Sequence, residues 1–350
     1  MRAAILRQGQ MVIDEVAEPA PGPGQVLLET IACGICGSDL HCARHARIFT
    51  EAAKASGMTL FAFDPDRDLV MGHEFSARVL EYGPTIDGSA APRLAPGTAV
   101  VAHPLVRDGN RPCSVGYHNV FPGAFAQRLV VDSGGVLAIP DGTDPIHAAL
   151  CEPLAVGLHA VNASSAVAAG GAIVVGCGPV GLAVIAALRL QGVGRIVAAD
   201  FSPIRRRFAE VMGAEVVVDP REQPAVDAWR AAGGRGPAVI FEAVGVPGMI
   251  ASTMRSAPSR SEIVVVGLCM EPDVIEPTIA ISRQLTVKFV LGWNAEEFAS
   301  SLDGIASGRI DVAPLITGRV GIEDTAEAFA TLAQPEAHVK IVVQPNGPAA

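Results

Sequence analysis

The chain lacks an excess of basic residues. Its 26 lysines and arginines are outnumbered by 36 aspartates and glutamates, which gives a formal net charge of −10. A protein of this sign repels nucleic-acid phosphates and anionic lipid headgroups. We therefore expect no nucleic-acid partner and no attachment to a membrane surface.

We expect neither an export signal nor an apolar membrane span in this chain. Residues 1–8 contain charged residues and a glutamine where a signal peptide continues its apolar stretch. The uncharged run 167–188 is as long as a membrane helix, but Gly170-Gly171 and Gly178-Pro179 interrupt it. We interpret this run as a buried strand, a turn and a helix.

Closely spaced cysteine pairs are scarce. The seven cysteines are an odd number and are scattered from residue 33 to residue 269, unlike the dense, even set of a small secreted domain. This pattern predicts reduced thiols and a cytoplasmic location. Cys33 and Cys36 form the single CxxC pair, so a closed zinc site of two such pairs is excluded.

The length of 350 residues exceeds what one hydrophobic core usually supports, so two domains are expected. Residues 1–153 combine short β-branched runs with many prolines and glycines, which predicts an irregular β-rich domain. From 154 to 292, apolar strands alternate with amphipathic helices. This alternation predicts a parallel sheet with right-handed crossovers, an α/β fold.

A glycine-rich turn follows the first strand of the alternating segment. Gly176 permits a tight turn, Gly178 lets the backbone approach a pyrophosphate, and Gly181 allows the helix to pack closely on the sheet. The helix N-terminus adds free N–H groups and a partial positive charge. A structural turn is the alternative, but the strand before and the helix after favour a dinucleotide site. The predicted binding residues are Gly176, Gly178, Pro179, Val180 and Gly181.

The next predicted strand ends at Asp200, 19 residues after the last glycine of the turn. An acid at this distance accepts hydrogen bonds from both ribose hydroxyls and repels a 2′-phosphate, which favours NAD over NADP. Three arginines follow at 205–207, and Arg205 is a candidate contact to the adenosine ribose or to a 2′-phosphate. These arginines can equally form a solvated helix face.

Two short segments carry the residue types that bind a catalytic zinc ion. The first is Cys36-Gly37-Ser38-Asp39-Leu40-His41, and the second is Gly72-His73-Glu74. A thiolate, an imidazole and a carboxylate are the ligand types of a catalytic zinc ion that keeps one coordination position open. By itself, His73 is compatible with a structural histidine, but its combination with Cys36 favours a metal ligand.

Together these segments resemble the zinc-dependent medium-chain dehydrogenase/reductase family, the alcohol and polyol dehydrogenases. The resemblance covers nearly the whole chain and includes Cys151-Glu152-Pro153-Leu154-Ala155 and the closing His338-Val339-Lys340-Ile341. It implies a GroES-like β domain, residues 1–153, interrupted by a Rossmann domain, residues 154–292. Residues 293–350 would then return to the GroES-like catalytic domain.

The resemblance also implies roles for single residues. Zinc would be bound by Cys36 and His73, with Glu152 at the position of the third protein ligand and Glu74 as an alternative. Cys151 is a rival to Glu152 on chemistry alone. Ser38 would receive the hydroxyl proton of the alcohol and pass it through the nicotinamide ribose to His41, which would release it to solvent.

Two departures from the family concern metal content and substrate. Many members hold a second, structural zinc ion on four closely spaced cysteines, whereas residues 106–127 contain Cys113 alone. We therefore expect one catalytic zinc ion per subunit and no structural zinc. The second departure is an insertion, residues 43–68, in which 47–55 predicts a short helix and 60–63 an apolar cover. It either caps the substrate or is a surface loop.

The expected function is zinc-dependent hydride transfer between an alcohol, secondary or otherwise substituted, and NAD. The alternatives are a polyol or sugar dehydrogenase of the same family, a zinc-free quinone or enoyl reductase, and a non-catalytic NAD-binding protein. The expected partner is a small alcohol or carbonyl compound. By resemblance, the subunits would form a homodimer or a homotetramer.

Overall fold

The computed structural model describes residues 1–61, 63–86, 93–334 and 338–347. By their internal contacts, the residues form two units, one of Met1–Glu152 with Ile316–Ala350 and one of Pro153–Leu315. The sequence analysis placed the return to the first domain at residue 293, whereas these contacts keep residues 293–315 in the second unit. The reason is that Glu297 accepts a hydrogen bond from Asn162 and pairs with His159, both in the second unit.

The elements alternate as expected from the sequence, with short strands first and strand-helix repeats later. In chain order the strands are β1 (Arg2–Arg7), β2 (Gln10–Glu15), β3 (Gln25–Gly34), β4 (Glu74–Tyr82), β5 (Ala99–Ala102), β6 (Leu105–Asp108), β7 (Arg111–Ser114), β8 (Arg128–Asp132), β9 (Val136–Ala138), β10 (Gly171–Val175), β11 (Arg195–Ala199), β12 (Val216–Val218), β13 (Val239–Glu242), β14 (Glu262–Val265), β15 (Thr286–Phe289), β16 (Ile316–Gly321) and β17 (Lys340–Gln344). The α-helices are α1 (Gly37–Ala55), α2 (Pro145–Ala148), α3 (Cys151–Asn162), α4 (Ala166–Ala169), α5 (Pro179–Leu190), α6 (Pro203–Val211), α7 (Ala225–Ala231), α8 (Met249–Ser256), α9 (Pro277–Arg283), α10 (Ala295–Ala306) and α11 (Thr325–Leu332).

The first unit is built on one mixed sheet. Its strand order is β16-β17-β3-β4-β5-β9, and β8 pairs with the other end of β3. Strand β3 is buried over nearly its whole length, because it pairs with β17, β4 and β8. The predicted β-rich domain is therefore organised around β3, and β3 ends just before the Cys36 segment.

The insertion begins inside a helix rather than after a loop. Helix α1 starts at Gly37 and continues to Ala55, with a kink at His45. The predicted helix at 47–55 is thus the second half of the helix whose first turn carries Ser38. Two contacts fix the end of the insertion to the same unit: Asp68 pairs with Arg7, and Asn119 donates a hydrogen bond to the carbonyl of Asp64.

The second unit is a doubly wound parallel sheet of strand order β12-β11-β10-β13-β14-β15. Its core contains Ile173, Val197, Ile240 and Ile263 from four neighbouring strands. The chain proceeds outward from β10 through β11 to β12 and then crosses back to β13 on the other side of β10. The switch point of the sheet, where such folds bind their ligands, therefore lies between β10 and β13.

The predicted fold class is confirmed, a β-rich unit interrupted by a Rossmann-like parallel sheet. Within the described part of the chain, no helix combines the length and the apolar character needed to cross a membrane.

Candidate metal centre and nucleotide site

Three potential metal ligands converge in the first unit. One donor atom each from Cys36, His73 and Glu74 lies within 4.8 Å of the other two. The pairing of β3 with β4 explains this convergence, because Gly34 stands opposite Glu74 in the antiparallel register. Cys36 follows two residues after Gly34, and His73 precedes Glu74 by one residue, so both lie at the same end of the ladder.

A buried carboxylate, Asp39, fixes two of these ligands. Its Oδ2 accepts a hydrogen bond of 2.9 Å from the backbone N–H of Cys36, and its Oδ1 lies 3.5 Å from Nδ1 of His73. Asp39 is inaccessible to solvent, so its charge acts on His73 with little screening. Nδ1 of His73 has no hydrogen-bond partner among the described residues, so the interaction with Asp39 is electrostatic, and it favours one orientation of the imidazole.

A second buried charge, Lys340, holds Glu74. The Nζ atom of Lys340 lies 2.6 Å from Oε2 of Glu74 and also donates a hydrogen bond of 3.1 Å to the carbonyl of Ile35. Both side chains are buried. Burial alone would lower the pKa of Lys340, but the Glu74 carboxylate outweighs this effect and raises the pKa, so the lysine stays charged. At Gly34 a Cβ atom would collide with Oε2 of Glu74, so glycine makes room for the carboxylate.

The protonation of the cluster fits a site that needs a cation. Burial raises the pKa of the Cys36 thiol, and the Glu74 carboxylate raises it further. Burial alone would lower the pKa of His73, but Asp39 and Cys36 raise it above its usual value. A bound divalent cation reverses both preferences, because it binds the thiolate and the neutral imidazole. Sulfur, nitrogen and oxygen donors at this separation suit zinc.

The residues predicted for proton transfer lie at the start of α1, in its first two turns. Ser38 is half-buried, and its Oγ accepts a hydrogen bond of 2.8 Å from the hydroxyl of Tyr117. His41 is also half-buried and follows Ser38 by three residues, which places both on the same side of the helix. Tyr117 was not anticipated, because no local pattern marks a single tyrosine in an irregular segment.

The insertion packs its aromatic side chains around Tyr117. Phe49 stacks on the Tyr117 ring at a centroid distance of 5.3 Å, and Phe61 meets it edge-on at 5.0 Å. On another side, the His73 ring lies 5.3 Å from Tyr117. In the predicted apolar cover at 60–63, Phe61 and Phe63 pack against Tyr117. Residue 62 lies outside the described residues. Its suggested role as a substrate cap stays a prediction.

The other predicted metal ligand, Glu152, is not one of the three residues of the cluster described above. It is half-buried in the first turn of α3, and its neighbour Cys151 is buried. In the segment where the family holds a structural zinc ion, Cys113 is buried in β7. Its thiol is directed to the backbone carbonyl of Arg111, at 3.7 Å.

The glycine-rich turn lies at the switch point of the second unit. Gly176 has a φ of +92°, and a Cβ at this residue would press on Val244 and Ala243, which follow β13. A Cβ at Gly181 would collide with the carbonyl oxygen of Gly176. Gly178 faces open space, precedes α5 as its N-cap and is followed by Pro179 in the first helical turn. The turn therefore offers backbone N–H groups to an anion.

Asp200 lies beside this turn at the end of β11. Its Oδ2 accepts a hydrogen bond of 2.7 Å from the N–H of Cys177, and its Oδ1 accepts one of 2.8 Å from Ser202. Arg206 is directed to the carbonyls of Asp200 and Phe201 and to the carboxylate of Asp219. Arg205 is the third residue of α6, and its backbone N–H donates a hydrogen bond to Ser202 Oγ.

Asp39 and Lys340, which contact the candidate metal ligands His73 and Glu74, were not predicted from the sequence. Asp39 stands within the Cys36 segment, and Lys340 within the closing His338-Val339-Lys340-Ile341. Asp39 is 34 positions from His73, and Lys340 is 266 positions from Glu74. Patterns among neighbouring residues do not predict contacts at such separations.

Two family profiles match the two units. Residues 22–141 match the alcohol dehydrogenase GroES-like domain, and residues 179–307 match the zinc-binding dehydrogenase domain. The chain is 32% identical over 349 residues to (R,R)-butanediol dehydrogenase of Bacillus subtilis (strain 168), covering 97% of this chain and 98% of that protein. It is 29% identical over 338 residues to sorbitol dehydrogenase of Bos taurus, covering 92% and 90%.

The similar solved structures are also dehydrogenases. The crystal structure of 2R,3R-butanediol dehydrogenase from Bacillus subtilis has 31% sequence identity and a TM-score of 0.82, with 99% of each chain covered. A protein of Sinorhizobium meliloti 1021 described as a zinc-binding dehydrogenase, solved bound to NADP, has 28% identity and a TM-score of 0.80. That match covers 98% of this chain and 99% of the other.

We predict that the metal-free protein binds one zinc ion per chain and releases protons as it does so. The Cys36 thiol must lose its proton to bind, and its raised pKa makes this loss harder at lower pH. Zinc affinity should therefore rise as the pH is raised. Calorimetric titrations in buffers of different ionisation enthalpy, with metal analysis, measure both effects.

The matched variants for this prediction are Cys36→Ser and Cys113→Ser. The first should lose the tightly bound zinc ion, and the second should keep it. Two tightly bound zinc ions in the parent protein, or retention by Cys36→Ser, would contradict the assignment.

Proposed function

The chain belongs to the zinc-dependent medium-chain dehydrogenase/reductase family of alcohol and polyol dehydrogenases, and we propose that it is a zinc- and NAD-dependent dehydrogenase of a secondary or otherwise substituted alcohol. The observation that carries the proposal is the convergence of Cys36, His73 and Glu74 in one cluster, in which His73 and Glu74 are buried and Cys36 is partly exposed. A zinc-free quinone or enoyl reductase of the superfamily has no need of such a cluster. A non-catalytic NAD-binding protein has no need of the Tyr117–Ser38 contact beside it either.

Zinc would be held by Cys36 and His73, with Glu74 or Glu152 as the carboxylate ligand. When bound, a zinc ion acts as a Lewis acid and makes the hydroxyl of a coordinated alcohol more acidic. The residues of the chain prepare the site for this chemistry. Asp39 orients the imidazole of His73, and Lys340 neutralises the second negative charge, that of Glu74. The single thiol of the Cys113 segment supports a content of one zinc ion per subunit.

Proton transfer is assigned to Ser38 and His41. Ser38 accepts the hydroxyl proton of the alcohol and passes its own proton onward, through the ribose of the cofactor, to His41. A histidine is suited to release the proton to solvent, because an imidazole gains and loses protons near neutral pH. The position of the two residues on consecutive turns of α1 supports this assignment.

The cofactor is assigned as NAD, which accepts the hydride at its nicotinamide ring. Gly176, Gly178, Pro179, Val180 and Gly181 would form the pyrophosphate turn. Asp200 would accept hydrogen bonds from the adenosine ribose, and its carboxylate would repel a 2′-phosphate. The engagement of Arg206 with Asp219 supports NAD, because that guanidinium is already paired. Arg205 remains the candidate for a further ribose contact.

The substrate is assigned as an alcohol with an apolar substituent next to the reacting carbon. The aromatic side chains of the insertion support this assignment. Phe49, Phe61 and Phe63 pack on the ring of Tyr117, and that ring contacts the ring of His73. A polyol is the second candidate, because the similar proteins include sorbitol dehydrogenases as well as butanediol dehydrogenases.

The protein is proposed to act as a homo-oligomer, a dimer or a tetramer. Strand β15 is the edge of the parallel sheet. Phe289, the last residue of β15, is 69% exposed, and Leu291, two residues beyond the strand, is 60% exposed. Val274 and Ile281, in the chain before β15, are exposed as well. An apolar edge strand is normally covered by another segment of protein. In a homo-oligomer, β15 of a second copy of the chain would cover β15 of the first.

We predict that replacing Ser38 with alanine abolishes most alcohol oxidation and leaves NAD binding intact. Loss of a positioned proton acceptor should lower kcat by about 10²- to 10⁴-fold. The measurement follows NADH absorbance with secondary alcohols, vicinal diols and polyols, and NAD affinity is measured by fluorescence titration. Failure of the parent protein to reduce NAD with any alcohol, or to oxidise NADH with any ketone or aldehyde, would refute the proposed function. Unchanged kcat in Ser38→Ala would refute the relay alone.

We predict that Asp200→Asn shifts the preference from NAD toward NADP. Removal of the carboxylate takes away the repulsion of a 2′-phosphate and also an acceptor for the ribose hydroxyls. The ratio of kcat/KM with NADP to kcat/KM with NAD should therefore rise by about tenfold or more. Glu210→Gln is the control, because it removes the same charge from an exposed position on α6. A parent protein that prefers NADP, or an Asp200→Asn variant with an unchanged ratio, would contradict the assignment.

We predict that Phe289→Lys shifts the protein toward monomers. A lysine at the edge strand places a charge in the proposed interface and opposes strand pairing between copies. Analytical ultracentrifugation measures the change against Val120→Lys, which alters an exposed valine in the first unit. A monomeric parent protein, or an oligomeric Phe289→Lys variant, would count against this interface.

A further inference from the structure

The chain contains two tyrosines, and one of them, Tyr117, is buried beside the proposed proton relay. Its side chain is 1% exposed, and its hydroxyl donates a hydrogen bond of 2.8 Å to Ser38 Oγ. The same hydroxyl lies 3.4 Å from Oδ1 of Asp39. The phenol thus contacts both the relay serine and the carboxylate that orients His73.

The insertion holds the Tyr117 ring on two sides. Phe49 is nearly parallel to the ring, with an interplanar angle of 8°, and Phe61 is perpendicular to it at 89°. Phe63 packs at 6.5 Å, and Phe49 also contacts Phe61 and Phe63. Stacked and edge-to-face aromatic pairs at these distances attract each other beyond the effect of burial alone. The hydroxyl of Tyr117 therefore has a defined position relative to Ser38.

The hydroxyl of Tyr117 takes up part of the hydrogen-bonding capacity of Ser38. The hydrogen bond that it donates occupies one lone pair of Ser38 Oγ. The other lone pair and the serine's own proton are left for the exchange with the substrate and the cofactor. A free serine hydroxyl rotates among three staggered positions, whereas this one is restricted.

We propose that Tyr117 is a positioning residue for the proton relay, and that the insertion at 43–68 seats it there. The proposal rests on the proposed function. In the relay, the alcohol O–H bond breaks as a new O–H bond forms at Ser38 Oγ, and the original serine proton leaves toward the cofactor ribose and His41. Tyr117 keeps its own proton throughout and orients the oxygen at which this exchange takes place. The insertion thereby contributes to the chemical step as well as to substrate fit.

The primary test is Tyr117→Phe, which removes the hydroxyl and keeps the ring in its aromatic contacts. The control is Tyr82→Phe, the same chemical change at the other tyrosine, whose hydroxyl accepts a hydrogen bond from Leu94. We expect kcat for alcohol oxidation to fall about tenfold in Tyr117→Phe and to stay unchanged in Tyr82→Phe. The solvent deuterium isotope effect on kcat should increase in Tyr117→Phe, because the proton exchange becomes slower. Zinc content and NAD affinity should match those of the parent.

A double-mutant cycle with Ser38→Ala separates positioning from packing. If Tyr117 acts through Ser38, then adding Tyr117→Phe to Ser38→Ala should cause no further loss of kcat. An equal loss in both backgrounds would overturn the proposal, and so would an unchanged kcat and isotope effect in Tyr117→Phe. Absence of turnover in the parent protein is a different result, because it removes the proposed function before any variant is compared.

A second measurement does not depend on turnover. The Tyr82→Phe variant grown with 3-fluorotyrosine carries its single label at Tyr117, and the Tyr117→Phe variant carries its label at Tyr82. We expect the ¹⁹F resonance of Tyr117 to shift when Ser38→Ala removes the acceptor, and the resonance of Tyr82 to stay in place. An unmoved Tyr117 resonance would show that the hydrogen bond is absent in solution and would overturn the proposal even if Tyr117→Phe failed to fold.

Discussion

The buried ion pair between Glu74 and Lys340 is the interaction on which the metal centre depends. It joins the first residue of β4 to the first residue of β17, and these two strands lie on either side of β3. The pair therefore lies at the end of the sheet where Cys36 precedes α1. Removing one partner of such a pair leaves an uncompensated buried charge, which costs about 3 to 5 kcal/mol. Without Lys340, two carboxylates and a thiol in one buried cluster would repel each other in their ionised forms. The lysine therefore lets the ligands stay together before any cation is bound.

A chain of buried contacts extends from this pair to the substrate side of the centre. Asp39 connects Cys36 to His73, and Tyr117 connects Asp39 to Ser38. The insertion then packs its phenylalanines on Tyr117. Asp39, His73 and Tyr117 are buried, whereas Cys36 and Ser38 are partly exposed. Residues 43–68 thus pack against Tyr117, whose hydroxyl contacts Ser38 and Asp39.

The nucleotide half depends on a different constraint, the close approach of backbone segments. Gly176 and Gly181 meet in the turn after β10, and Asp200 is held by backbone N–H groups from Cys177 and Ser202. These contacts are local to two successive strand ends, so their spacing in the sequence is fixed. For this reason the glycine pattern and the acid that follows it are recognisable from the order of the residues alone.

The sequence by itself determined the α/β fold class, the interrupted two-part organisation, and the segments that carry Cys36, His73 and the glycine turn. These features depend on local periodicity and on motifs whose chemistry needs neighbouring residues. The tertiary structure alone showed that the Glu74 carboxylate lies within 4.8 Å of the donor atoms of Cys36 and His73. It also supplied Lys340 and Tyr117 as partners and kept residues 293–315 with the parallel sheet. These outcomes depend on contacts between residues far apart in the chain, whose register is set by the pairing of strands and by the packing of buried side chains.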